Sequence, residues 1–352
     1  MERIDPDRLD KLKTKMLGDV AGAMGVFLAY VGDQTGVYRA LAANGRSTSD
    51  ALARLAGVDA RYLREWLSAN AAFGYVVYHD DDDTFSLTPE QAELLAQDAN
   101  TNSFQPFFQG LVSQVARQDR AVEVFRSGSG RDWGDHAPGC FCGVERGFRV
   151  MYQENLLQKW IPATDGVSIK LEAGAKVADV GCGNGASALL LARAFPKSTV
   201  IGFDFHGPSI AKARTSAAEA DLTNVRFEIA GANNFPGDGY DLVCVFDALH
   251  DMGDPVGAAR HVRQALKPDG TFMVVEPVAE DELRDNLTQL AGIYYGFSTT
   301  ICLPTSRAQE VALCLGAQAG PKRIADVLRT AGFTRVRHTM NTESNMILEA
   351  RP

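Results

Sequence analysis

The densest chemistry in the chain is a glycine-rich turn, Val177-Ala-Asp-Val-Gly181-Cys-Gly183-Asn-Gly185, set between an apolar strand-like run and a helical stretch. Glycines there allow a tight turn and let a ligand approach the backbone closely. Gly181, Gly183 and Ala186 satisfy the G-x-G-x-x-G/A spacing, and Asp204 ends the next strand-like run 23 residues after Gly181, placed to accept both hydroxyls of a ribose. The pattern therefore points to a nucleoside-containing cofactor, with a nicotinamide dinucleotide as one reading. The acids Asp247, Asp251 and Asp254 could suggest a divalent metal, but they come from one loop with no second cluster. A solvated acidic loop with helix caps is the preferred reading, and no metal is expected.

Three features move the cofactor toward S-adenosylmethionine. Asp179 lies two positions before the first glycine, where a pyrophosphate would repel a carboxylate and a methionine ammonium would attract one. Gly185 adds a G-x-G-x-G spacing. The turn sits mid-chain, and the chain closes with two strands around a polar turn, FTRVRHTM and NMILEARP, where a dinucleotide fold would offer a second mononucleotide half.

The elements that must hold this turn are legible from Lys176 onward, where short apolar strands alternate with helical stretches, the mark of an α/β domain with a mainly parallel sheet. Upstream, near-helical spacings from about Asp10 to Ala42 predict two helices meeting near Gly32. Ser47 to Asp50 starts a helix, Gly57 stops it, Asp59 caps a second running to about Ala72, and YVVYH and TFSLT read as strands around the turn Asp80–Asp83. That is a winged helix. Residues 127–139 are loop by composition, and a helix from about Val144 to Lys159 leads to Pro162.

With these motifs in place the chain resembles class I S-adenosylmethionine-dependent methyltransferases that carry an amino-terminal winged helix, related to bacterial small-molecule O-methyltransferases. The resemblance implies a Rossmann-like seven-stranded sheet with a C-terminal antiparallel hairpin over 166–352, and a mainly helical winged-helix domain over 1–165 serving dimerisation and substrate covering. It implies that Asp179, Gly181, Cys182, Gly183 and Gly185 wrap the methionine part of the cofactor and that Asp204, followed by Phe205, holds the ribose. Gly231, Ala232 and Asn233 would flank the adenine; relatives often carry Asp at the Ala232 position, so Asn233 takes over the polar contact. Phe246 and Asp247 would close a strand beside the cofactor.

In the segment FDALHDMGDP the resemblance makes His250 the general base for O-methylation, oriented by Glu276 of MVVEP. An imidazole with a free pKa near 6.5 suits that task at neutral pH. A second orienting carboxylate known in plant enzymes is missing here, where the stretch reads ALGAQAGPK. Met252, Tyr294, Tyr295 and Phe297 are candidates for an acceptor pocket, with helical core packing the competing explanation. His206 is either a cofactor contact or an exposed loop histidine, and Phe104, Phe107, Phe108 and Trp133 read as core or dimer contacts.

Bulk properties set the exclusions. With 352 residues, 45% of them hydrophobic and 22% charged, the chain has enough apolar material for two domains. A net charge of -9 gives no footprint for nucleic acid, and residues 1–100 hold 10 Lys and Arg against 16 Asp and Glu. Six dispersed cysteines without a CxxC pair read as reduced thiols of a cytoplasmic protein. The charged amino terminus is no signal peptide, and the apolar run Val20 to Val31 is short of the ~18–20 residues a membrane span needs. The expectation is a cytoplasmic homodimeric methyltransferase with a small-molecule acceptor, without nucleic acid or membrane partners. The alternatives are a winged-helix transcriptional regulator that senses S-adenosylmethionine without catalysis, and a nicotinamide-dependent oxidoreductase.

Overall fold

The computed structural model describes residues 3–97 and 102–352. The chain divides into two compact units, 1–116 with 138–150 and 117–137 with 151–352. Residues 117–137 and 151–165, assigned by sequence to the first domain, pack with the second unit, so each unit is built from two stretches of chain.

The first unit is helical. Asp5 caps a helix Pro6–Thr35, accepting from the amides of Asp7 and Arg8. The two expected helices form, the second over Val37–Asn44, but the first runs through Gly32 and they meet four residues later. A side chain at Gly32 would collide with Trp66 and Tyr38, at 2.4 and 2.6 Å, so this glycine admits neighbouring rings. The break comes at Gly36, whose φ of 72° is left-handed. Trp66 and Tyr38 then meet edge to face at 4.9 Å, Trp66 Nε1 donates to the Leu28 carbonyl and Tyr38 donates to Asn70.

The winged helix matches the sequence expectation closely: helix Ser49–Ala56 capped by Thr48 and ended by Gly57, helix Ala60–Ala72 capped by Asp59, and strands β1 (Val77–His79) and β2 (Thr84–Ser86), paired antiparallel. Three of its arginines are paired internally. Arg61 pairs with Glu65 at 2.6 Å, Arg64 with Asp83 at 2.7 Å, and Arg46 with Asp81 and Asp82. The wing acids thus bind the arginines that a phosphate backbone would need.

The second unit holds a seven-stranded sheet of β3 (Lys176–Val180), β4 (Thr199–Asp204), β5 (Val225–Ile229), β6 (Tyr240–Phe246), β7 (Leu266–Pro277), β8 (Arg335–Asn341) and β9 (Asn345–Arg351). Its order is β5-β4-β3-β6-β7-β9-β8. Strands β3 to β7 are parallel, and β9 inserts antiparallel between β7 and β8. The predicted α/β fold with its terminal hairpin is what forms. Near-continuous apolar strands such as Val243 to Phe246 are buried because helices cover the sheet. The chain leaves β3 toward β4 and β5, then returns to lay β6 on β3's other side, so a crevice opens outside the carboxyl ends of β3 and its neighbours.

One upstream boundary also differs: the helix expected from about Val144 starts at Pro138, whose ring suits the first helical position, and passes at Asn155 into a π-helical turn, Leu156–Trp160.

Candidate active site

Parallel strands deliver their last residues to one edge, and there the predicted site residues gather. Asp179 lies one residue before the end of β3, with 1% exposure. Ser187, from the helix Ala186–Ala194, donates to its Oδ2 at 2.5 Å, while Oδ1 has no hydrogen-bond partner among the described residues. Burial raises the Asp179 pKa to about 7. Gly181, Gly183 and Gly185 all take positive φ, at 76°, 53° and 83°. They differ in surroundings: a side chain at Gly185 would strike Phe227 at 2.6 Å, whereas at Gly183 nothing lies within 4 Å. Gly185 therefore serves packing, and Gly183 faces open space. The Cys182 sulfur packs on β4, 2.9 Å from where a side chain on Gly202 would stand.

Asp204 links this turn to the next. Its Oδ2 accepts from the Gly183 amide at 2.9 Å and its Oδ1 from the His206 amide at 2.8 Å, and burial raises its pKa. His206 uses Nδ1 on Ser209 at 2.8 Å, and Phe205 is exposed beside it. After β5, the Gly231 amide is held by Asn234 Oδ1 at 2.9 Å, with Ala232 against the sheet core and Asn233 exposed. Asn234 shapes this turn, a role the sequence left unassigned.

At the ends of β6 and β7 lies the second cluster. Phe246 is buried in a ring stack, 5.9 Å from Trp160 and 5.4 Å from Tyr152, so its side chain is committed to packing. Asp247 comes next, with φ 47°. Its Oδ2 accepts from Asn345 Nδ2 at 2.8 Å, and burial followed by the charge of Glu276 raises its pKa well above the carboxylate range. His250 sits on a short 3-10 turn, Leu249–Asp251, 4% exposed, with Nδ1 2.5 Å from Glu276 Oε2. Glu276 Oε1 accepts from the Leu249 amide at 3.0 Å, so one carboxylate fixes both ring and turn. Burial by itself lowers the imidazole pKa, but the Glu276 and Asp251 carboxylates outweigh it and hold the value well above 6.5.

Asp254 caps the helix Pro255–Ala265 through the Gly257 amide. Met252 packs against the sheet core. Tyr294, on the helix Gln289–Phe297, donates to the Ser344 carbonyl at 3.3 Å; burial and then the Asp247 charge push its hydroxyl pKa up. Tyr295 and Phe297 are half-buried on the same helix.

Several residues at this edge were not singled out from sequence. Tyr152 is buried with its hydroxyl pKa raised by burial, then by the charges of Asp247 and Asp179. Asn345 reaches Asp247 because the β7–β9 register sets Asn345 opposite Pro277. Gln309 bridges the turn that carries His250, accepting from the Gly253 amide at 3.0 Å and donating to the Asp251 carbonyl at 2.9 Å. The hairpin itself was legible, but register and loop closure carry no local signal.

Comparison with known proteins agrees with this architecture. Residues 171–331 match the family model of a methyltransferase domain, and residues 22–97 that of an Rv2258c-like winged HTH domain. The trans-aconitate 2-methyltransferase of Deinococcus radiodurans is 32% identical over 113 residues, 32% of this chain and 42% of that protein. The chain thus spans about two fifths of that relative's length. Solved structures similar along the whole fold include the mitomycin 7-O-methyltransferase MmcR, with TM-score 0.72, 17% identity and coverage of 99% of this chain and 100% of that one. Human N-acetylserotonin methyltransferase in complex with SAM has TM-score 0.72, 17% identity and coverage of 100% and 99%. The chain therefore carries a methyltransferase domain joined to a winged helix-turn-helix domain.

Proposed function

We propose that this protein transfers a methyl group from S-adenosylmethionine to a hydroxyl of a small, aromatic or polyketide-like acceptor, with His250 as general base. The observation that carries the reading is the buried His250–Glu276 pair at the same sheet edge as Asp179, the glycine turn and Asp204.

The residues present suit such a cofactor. Asp179 keeps a buried oxygen without a donor, which a cationic ammonium would satisfy. Asp204 is oriented by two backbone amides and retains lone pairs for sugar hydroxyls. The bare α-carbon of Gly183 leaves room for close approach. When bound, S-adenosylmethionine supplies a methyl group already activated on a sulfonium.

What remains for the protein is alignment and proton removal. Glu276 accepts from Nδ1–H, so Nε2 is the basic nitrogen, and it takes the hydroxyl proton of the acceptor. The resulting imidazolium lies between Glu276 and Asp251, whose charges stabilise it. Met252, Tyr294, Tyr295 and Phe297 are the proposed acceptor wall. The names of two structural relatives, a 7-O-methyltransferase and a methyltransferase bound to SAM, support the reaction class.

Homodimerisation through the first unit belongs to the same proposal. Leu12, Met16, Val20, Met24 and Phe27 form an exposed row along the helix Pro6–Thr35. This helix is also long and apolar enough to cross a membrane by length and composition, although Ala29, Gly32 and Asp33 are buried in the winged-helix unit.

The test is incubation with deuteromethyl-labelled S-adenosylmethionine and a panel of hydroxylated aromatics, read by mass. Wild type should add one labelled methyl group to at least one phenol. His250→Ala should lose about 10²–10⁴ in rate, the usual contribution of a general base. An undiminished His250→Ala rate would remove the base assignment.

A further inference from the structure

Three ligand-bearing side chains meet at the outer ring nitrogen of His250. Nε2 lies 3.3 Å from Asp251 Oδ1, and these atoms and the Cys302 sulfur all lie within 4.8 Å of one another. Cys302 comes from a separate element, the π-helical turn Ser298–Cys302, and has no part in the methyl-transfer reading. His250 and Cys302 are buried, while the Asp251 side chain keeps 20% exposure with its Oδ1 turned inward.

The ring is preset for a cation. Glu276 also accepts the Leu249 amide and holds Nδ1, so Nε2 is the nitrogen left for another partner. Asp251 Oδ1 faces Nε2 at 3.3 Å, and the Cys302 thiol shares hydrogen bonds with both groups. Without an ion the Nε2 proton and the Cys302 thiol hold these three groups together, and a metal ion would stand in for those protons.

Geometry narrows the cation. Two ligand atoms each about 2.0–2.1 Å from a zinc ion at the tetrahedral angle stand about 3.3 Å apart, which is the His250–Asp251 separation. A sulfur ligand disfavours magnesium and calcium and suits zinc. A carboxylate on the far ring nitrogen is the usual outer partner of a metal-bound imidazole.

We propose that His250, Asp251 and Cys302 form a three-ligand site for a zinc-like transition-metal ion, and that the bound ion blocks the base. On binding, the Cys302 S–H and His250 Nε2–H bonds break and both protons pass to solvent, the sulfur, Nε2 and Asp251 Oδ1 each bond to the ion, and water completes the coordination, with no change of oxidation state. The inhibition rests on the methyl-transfer reading above. The binding does not.

The metal-stripped full chain, titrated with Co²⁺ and then Zn²⁺, tests it without an acceptor. Wild type should take up one Co²⁺ with a thiolate-to-cobalt charge-transfer band that Zn²⁺ abolishes. Cys302→Ser should lose the band, and both Cys302→Ser and Asp251→Asn should bind Zn²⁺ at least tenfold more weakly. The exposed Cys142 provides the control, because Cys142→Ser should keep the band. A wild type without the band, or a band that survives in Cys302→Ser, would overturn the site. Should the variants fail to fold, the alkylation rate of Cys302 in wild type with and without Zn²⁺ decides, since a bound ion must slow it below the metal-free rate and equal rates refute the site. Binding with no methyl transfer would sink the enzyme reading alone.

Discussion

At the scale of single residues, the site depends on how several clustered acids share few cations. Asp179, Asp204 and Asp247 are raised by burial, and His250 is raised by the carboxylates around it. A base must be deprotonated to act, so a raised pKa puts the acid limb of kcat/KM above pH 6.5, with activity present above the limb and lost below it. Asp251→Asn removes one of the stabilising charges and should move that limb to lower pH, while Asp254→Asn should leave it in place. A pH–rate profile of the two variants checks this; an unshifted limb in Asp251→Asn would show that another group sets it. Residue types made these positions visible in the sequence. Asp204 and the glycines are legible from turn chemistry, whereas His250 stood out only through resemblance, because nothing in its spacing reveals that Glu276, 26 residues on, lies 2.5 Å from its ring.

Elements position these groups, and the scheme is partly strained. The 3-10 turn bearing His250 is clasped by the segment 306–314. Ser306 Oγ donates to the Met252 carbonyl at 2.9 Å, the Leu313 amide donates to the Gly253 carbonyl at 2.9 Å, and Gln309 takes a donor and an acceptor on either side. Val311, Ala312 and Cys314 adopt positive φ in this clasp, at 72°, 51° and 54°. Such backbone costs about 1–3 kcal/mol per residue and persists only where surrounding bonds impose it. Gln309 is thus a positioning residue. Gln309→Ala should lower kcat about tenfold, with the KM for the cofactor unchanged, because small misplacements of a base weigh on the chemical step. Gln309→Glu keeps the acceptor for the Gly253 amide and loses the donor to the Asp251 carbonyl, so it should fall between. Equal kcat in all three would deny the clasp a role. The strands and the winged helix were readable from alternation, caps and Gly57, since those signals are local. The 30-residue first helix was not, because Gly32 serves as a packing gap for Trp66 while looking like a breaker.

For the whole molecule, two compact units carry different chemistry. The first pairs Arg61 and Arg64 with its own acids and buries Asp33 against Arg146 at 2.7 Å, leaving an exposed apolar row on Pro6–Thr35. If that row is the dimer contact, Val20→Glu with Met24→Glu should yield a monomer by analytical ultracentrifugation with unchanged circular dichroism, and a persistent dimer would place the contact elsewhere. The second unit places five strand ends at one edge, and the central claim is that a sulfonium-bearing nucleoside binds there with its ribose on Asp204. Calorimetric titration with S-adenosylhomocysteine, with NADH in parallel, measures it most directly. Wild type should bind one S-adenosylhomocysteine, Asp204→Ala should bind it about 10–100-fold more weakly, as loss of charge-assisted hydrogen bonds requires, and NADH should give no heat. Binding of NADH in its place, or S-adenosylhomocysteine binding indifferent to Asp204, would contradict the claim.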